Sequence, residues 1–450
     1  MDSRVRREAA TLAAAGYAVT VLATGRGGST AIEREQVGGF EIIRVPVPAG
    51  WQRHWLSVVR PGVGRDRALT AAREALRGGP GAWPRAVGSL GRAVAWLGLS
   101  IVRRLTLAIP TRIGGPGEWP PAQLYWLATW RWSTLAWADA AVRAAPASDV
   151  HHGHDLSALA AAVHGAARDA GHTVYDSHEI FVDSGRNSER PRWARAILRR
   201  LERGWGRRLA ALIAVNPAQA AVIARRVQAP RIAVIHNCPP TWHGEADDRL
   251  RLAAGVPAGA PIVLYHGSFT RERGLDELAE AMLEPALADA HLVYLGFGGY
   301  RAMLDAIAAD SRFNGRVHVL DAVPPDDLMT WIGGADVNAI PLQRSTLNHV
   351  LATPNKLFES IAAGVPVVVS DLPEMRRIVL DDPDGPLGDV FWPVSPAAIA
   401  AAIREILDRP ADERARLRAR CRAAAAARWN WETESRALVG LYAELTAPEP

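Results

Sequence analysis

From residue 261 onward, short apolar runs alternate with amphipathic stretches of helical period, and that alternation leaves few folds open. PIVLYHG (261–267), HLVYLGFG (291–298), VHVLDAV (317–323), ADVNAIPL (335–342) and PVVVSD (366–371) read as strands. GLDELAEAML (274–283), RAMLDAIAAD (301–310) and PPDDLMTWIGG (324–334) read as the helices between them. Strands and helices in strict turn imply a doubly wound parallel sheet, whose ligands sit at the carboxyl ends of its strands. Gly267, Gly296, Gly298 and Thr353 fall at those ends.

The first half carries a looser version of the same pattern. YAVTVLAT (17–24), FEIIRVPVP (40–48), HTVYDSHE (172–179) and RIAVIHN (231–237) are strand-like. ASDVHHGHDLSALAAAV (147–163) reads as strand, polar turn and helix, and RRLAALIAVNPAQAAVIARR (207–226) as strand and helix. At 450 residues and 49% hydrophobic content the chain can bury two cores. We expect a Rossmann-like domain over 1–240 with an insertion at about 51–145, and a second over 241–428. The breaker-rich HNCPPTWHGEADD (236–248) marks the boundary. Residues 429–450 are expected to return as a helix to the first domain.

The segment most pointed toward chemistry is TPNKLFESIAAGVPVVVSD, 353 to 371. It reads as a helix with a Thr353 cap and Pro354 in the first turn, closed by Gly364 and followed by a buried strand. Free N–H groups and the positive dipole end at such a start suit a diphosphate. Lys356, the only lysine against 51 arginines, adds a point charge near Asn355. Glu359 lies one helical step along the same face, where a carboxylate can accept both hydroxyls of a ribose. A solvated Lys–Glu pair is the plainer reading of these two residues alone.

This segment resembles the nucleotide-sugar site of the retaining group 1 (family 4 type) glycosyltransferases, which have the GT-B fold. The similarity extends over nearly the whole chain, most weakly at residues 50 to 145. It implies that Glu359 holds the donor ribose and that the helix start at 353–356 holds the diphosphate. In the loop HGSFTRERG (266–274), Arg273 stands at the family's Lys position, while Ser268 replaces its usual Arg and Arg271 is the substitute at hand. Fixed guanidinium groups there would stabilise a departing diphosphate. The family's second Glu, eight residues before Glu359, is Leu351 here, which leaves Asn348 and His349 as candidates for sugar hydroxyls. His178 matches the family's His near the donor sugar and acceptor, and His154 a residue of the preceding H-x-H turn. Asp155 and Glu179 join them on the acceptor side. The resemblance implies front-face attack without a covalent intermediate, and no metal or cofactor.

His151, His152 and His154 invite a metal reading, but no cysteine cluster accompanies them, and strand alternation sends His151 and His152 to opposite faces. Asp176, His178 and Glu179 have the composition of an acid–base group. The first helix, DSRVRREAATLAAAG, resembles one that in the family follows a strand. We therefore expect a vacant strand slot in the first sheet, and a natural start upstream of Met1.

Composition narrows the setting. Cys238 and Cys421, far apart in sequence, fit a reducing compartment rather than a disulfide framework. The charged, helical N-terminus does not read as a secretory leader. Residues 51–145 hold 13 Arg against four acids and nine of the 16 Trp, the make-up of a segment lying on an anionic membrane surface. Its best apolar run, AVAWLGLSIV (93–102), is too short to span a bilayer. Nothing resembles a nucleic-acid module. The expected protein is cytoplasmic, peripheral on the inner membrane face, and moves a sugar from a nucleoside-diphosphate sugar to a lipid-linked or envelope glycan. The alternatives are a catalytically silent scaffold of the same fold, or a nucleotide-sugar epimerase.

Overall fold

The computed structural model describes residues 2–25, 31–48, 61–77, 82–107 and 120–447. Trp51, Trp55 and Trp119 of the Arg/Trp segment lie outside them. The second half is one six-stranded sheet of β8 (Ile262–Ser268), β9 (His291–Phe297), β10 (Val317–Asp321), β11 (Val337–Ile340), β12 (Val367–Ser370) and β13 (Gly388–Phe391). All pairs are parallel, in the order β10-β9-β8-β11-β12-β13. The chain order reverses between β8 and β11, which opens a crevice at their carboxyl ends. Central strands are buried from end to end (VVVS in β12, VNAI in β11), because helices cover both faces.

The first half holds seven strands, β1 (Thr20–Thr24), β2 (Glu33–Val37), β3 (Phe40–Val45), β4 (Val150–His154), β5 (His172–Ser177), β6 (Ala211–Ala214) and β7 (Arg231–Val234). We expected one Rossmann-like sheet and find two, β1-β3-β2 and β4-β5-β6-β7. Among the described residues β1 and β4 each end a sheet, and no strand bridges them. The polar strand β2 escaped the sequence reading. It forms an antiparallel hairpin with β3 through Gly38-Gly39, both at positive φ.

The helices include α1 (Ser3–Ala14), α2 (Pro61–Arg77), α3 (Trp83–Leu107), α4 (Pro120–Ala144) and α5 (Asp155–Asp169), and later α6 (Asn355–Ala362) and α7 (Trp431–Thr446). Of these, α4 and α5 join the two sheets. Ile43 and Val45 of β3 share a core with Trp137 and Ala138 of α4 and Ala160 of α5. The Trp137 indole N–H donates to the Val45 carbonyl at 3.1 Å. Helix α7 crosses back from the second half. Its Trp431, Leu438, Leu441 and Tyr442 pack with Leu12, Val174, Ile213 and Ile235 beneath β5 and β6.

Candidate active site

Strand register brings the donor-side loops together. Gly267 at the end of β8 pairs with Gly296 of β9. A Cβ on Gly296 would lie 1.9 Å from the Gly267 carbonyl oxygen, and Gly267 itself has φ +100°, so both positions demand glycine. Beyond them, a turn at Arg271–Arg273 ends on Gly274. Helix α6 begins opposite. Its first residue is Asn355, its N-cap is Pro354, and no side chain caps it. Thr353 does not serve as the cap: it stands one residue too early, and its hydroxyl is within 3.3 Å of the Asn216 amide from the first half, which donates to it. The helix start therefore keeps free N–H groups aimed at the crevice.

Lys356 is buried (8% exposed), and its Nζ has no hydrogen-bond partner. The ammonium stands 3.5 Å from the centre of the Tyr265 ring. Burial, and the nearby charge of Arg273, push its pKa well below the ordinary lysine range, against the pull of Glu359. Such a group is held for an anion. Glu359 is half-buried, and its Oε2 accepts from His266 Nε2 at 3.0 Å. Asn338 Nδ2 donates to His266 Nδ1 at 3.0 Å, which fixes that tautomer. Burial keeps His266 neutral. Glu359 is thus oriented with its other oxygen available to a hydroxyl donor.

The two loop arginines part company. Burial and then the charge of Arg273 lower the pKa of Lys356 and His349, while at Tyr265 and at Glu179 from the first half burial raises the pKa and Arg273 opposes it. Arg271 is exposed and acts on Tyr300 instead. Asn348, read from sequence as a donor-sugar ligand, uses its Oδ1 to accept the Ile180 N–H at 2.9 Å across the cleft. Asn355 likewise accepts from Asn237 at 2.8 Å. Both tie the halves together, because the crevice edge is also where the halves meet. His349, with Ser345 donating to its Nδ1 at 2.7 Å, is held neutral by burial and by Arg273, with its pKa lowered to about 4.

On the facing side, β4 and β5 set His154 level with Asp176. Asp176 Oδ2 lies 3.1 Å from His154 Nδ1 and 3.0 Å from His178 Nε2. Burial opposes charge on His178, but Asp176 beside it, with Asp155, raises its pKa to about 9. Asp155 opens α5 at φ +57°, an unusual backbone for a non-glycine, and its Oδ1 accepts the His178 N–H at 3.0 Å. Burial pushes the Glu179 carboxyl up, and Ser184 Oγ donates to it at 2.7 Å.

Two residues of α1 complete this cluster, and the sequence reading had passed over them. Arg4 donates to both oxygens of Asp176 (2.8 and 3.0 Å) and to the Ile235 carbonyl at 2.8 Å. Glu8 is buried with its Oε1 in an ion pair 2.9 Å from Arg4 Nε, and burial plus Asp176 raise its pKa to about 7 against the pull of Arg4. His152 faces the same space, its Nδ1 2.9 Å from the Tyr442 hydroxyl of α7, whereas His151 turns to Asp169. Among the described residues Glu8, His152, His154 and Asp176 each offer a metal-ligating atom within 4.8 Å of the others. Asp176 Oδ2 is also engaged by Arg4, His154 and His178.

Comparison with known proteins finds a match in each half of the chain. The description Glycosyl transferases group 1 fits residues 260–409, and Glycosyltransferase Family 4 fits residues 101–241. The chain belongs to the family 4-type group 1 glycosyltransferases. The D-inositol 3-phosphate glycosyltransferase of Xylanimonas cellulosilytica is 33% identical over 207 residues, 45% of this chain and 46% of that protein. The lipopolysaccharide core biosynthesis glycosyltransferase LpsE of Rhizobium meliloti is 31% identical over 159 residues, 35% of this chain and 43% of that protein. The match thus spans less than half the length of these curated relatives. Sucrose-phosphate synthase from Thermosynechococcus elongatus superposes with a TM-score of 0.67 at 17% identity, covering 98% of this chain and 92% of that one. The Escherichia coli trehalose-6-phosphate structure bound with UDP-2-fluoro glucose gives 0.62 at 14% identity, covering 100% and 97%. This family 4-type chain has the GT-B fold.

Proposed function

We propose that the chain moves a sugar, with retention at the anomeric carbon, from a nucleoside-diphosphate sugar to a lipid-linked or envelope glycan at the cytoplasmic membrane face. One observation carries the donor half of this reading: a buried ammonium without a partner, Lys356, beside Arg273 and an uncapped helix start. These groups match the charge of a diphosphate and grow in value as it departs. Glu359, steadied by His266, is the ribose ligand. Two neighbours of the same fold support the donor class: HepE from Anabaena was solved with UDP, and the E. coli trehalose-6-phosphate structure with a UDP-sugar.

Across the cleft, the His178 imidazolium positions the transferred sugar, with Gly267 and Gly296 giving the backbone room to approach it. His154, Asp155 and Glu179 take the acceptor side. Front-face attack then needs orientation and leaving-group stabilisation rather than a covalent intermediate, and no metal enters. Arg271 is the weakest member of the set, since its side chain is turned to solvent.

The test is a thermal-shift panel of UDP, GDP, ADP and dTDP on the chain and on Glu359→Ala. A nucleotide at 100 times its Kd adds roughly 2.7 kcal/mol. Stabilisation by one nucleotide, lost in the variant, supports the donor site and names its base. A folded chain that responds to none of the four favours the catalytically silent scaffold. A nucleotide response without transfer to any glycan would leave a binding partner or an epimerase.

A further inference from the structure

Helix α3 turns the usual order of a water-soluble helix inside out. Among the described side chains its buried positions are small, Ala86, Ser89 and Ala93, and it packs on α2, where the described buried positions are Ala68 and Ala72. Its large apolar side chains are outside: Trp83, Val87, Leu90, Val94, Leu97 and Ile101 are each 44–68% exposed. Alternating steps of four and three residues set all six on one stripe, about 27 Å long at the helical rise. Helices in water hide large apolar groups and show small ones. Small residues between helices with large ones outward is how helices pack in lipid. A continuous stripe of this length also exceeds the scattered apolar exposure of an ordinary surface.

Charge decides what covers it. Residues 61–107 hold eight Arg against two acids, and α3 itself has four Arg and no acid. The positions flanking the stripe include Gly88, Gly91, Ala95 and Gly98, not the paired acids and bases with which a self-associating coiled coil fixes its register. At 100° per residue, Arg85 and Arg92 leave the helix on the side away from the stripe, the arrangement of a helix lying in a membrane interface. Among the described residues no helix is long and apolar enough to cross a membrane.

We infer that α3 lies in the plane of an anionic lipid surface, its stripe from Trp83 to Ile101 sunk below the headgroups and its arginines at phosphate level. This rests on the reading that the acceptor is membrane-borne, and it names the face of the protein that meets the membrane. The experiment is flotation of the full chain with phosphatidylcholine vesicles and with vesicles also containing phosphatidylglycerol. The chain is expected to float with the anionic vesicles, less at high salt, and poorly with phosphatidylcholine alone. Val87→Glu with Val94→Glu, two exposed sites, should lower the bound fraction roughly tenfold or more. The thermal response to nucleotide, read on the same samples, should be unchanged. The inference is overturned if the chain stays unbound with both vesicle types, or if the double variant floats as well as the parent. A lipid-free dimer that the double variant dissolves would overturn it too, by making a second copy the cover. Loss of the nucleotide response with flotation intact would sink the donor-site reading and leave this one standing.

Discussion

The Lys356 ammonium faces the Tyr265 ring at 3.5 Å, a cation held on an aromatic face with no hydrogen-bond acceptor in reach. A cation–π contact recovers only part of the hydration such a group loses on burial. Lys356→Met should therefore raise the melting temperature of the unliganded protein by roughly 2–4 °C for each kcal/mol relieved. It should also remove most of the stabilisation by nucleoside diphosphate. Calorimetry with and without nucleotide checks both, and an unliganded variant less stable than the parent would mean that the ammonium is satisfied after all.

Glu359 and His266 act as one unit in this geometry, so their variants should differ in kind. Glu359→Ala is expected to weaken nucleotide binding by about 1.5–3 kcal/mol, or roughly 10- to 150-fold. His266→Ala leaves the carboxylate present but unsteadied, and should cost less in affinity. Titration calorimetry with nucleoside against nucleoside diphosphate separates the two sites. The Glu359 loss should appear with both ligands, the Lys356 loss only with the diphosphate.

Glu8 and His178 each take stability away as pH rises, whereas His152, His266 and His349, with pKa values lowered by burial, add to it as pH rises toward 6.5. Glu8 is raised to about 7, so the fold prefers it protonated, and stability falls as pH rises from about 4.5 to 7. His178 is raised to about 9, so its contribution is complete below its unfolded value near 6.5 and is lost as pH rises through 9. Glu8→Gln should remove the first loss and His178→Gln the second. Denaturant midpoints across that range provide the measurement.

Transfer activity should survive chelators. Arg4 already supplies positive charge to Asp176 from 2.8 Å. Arg4→Ala is expected to cost about 3–5 kcal/mol of stability, because it strands a buried carboxylate. Loss of turnover on EDTA treatment, restored by one metal, would reverse the assignment of the Glu8–His152–His154–Asp176 cluster.

What the chain made legible followed from locality. The runs IVLY at 262–265 and VVV at 367–369 announce buried parallel strands through uninterrupted apolar residues, and the glycines at 267 and 296 mark strand ends. Strand β2, EREQV, carries no apolar signal because it is a solvated edge; only the glycine pair after it hints at a hairpin. Thr353 was misread as a cap because its partner, Asn216, is 137 residues away. Arg4 and Glu8 looked like the solvated charges of any first helix. Nothing in a 3.6-residue pattern reveals that Asp176 waits beneath them.

Helix α7 has a bearing on how such chains can be recombined. Trp431 and Tyr442 come last in the sequence yet finish the interior beneath β5 and β6, and the Tyr442 hydroxyl steadies His152. A gene cut at the breaker-rich stretch near residue 240 would give a first fragment with a hole in its own core. Swapping acceptor halves between relatives, by evolution or at the bench, must therefore move two separate pieces of gene together.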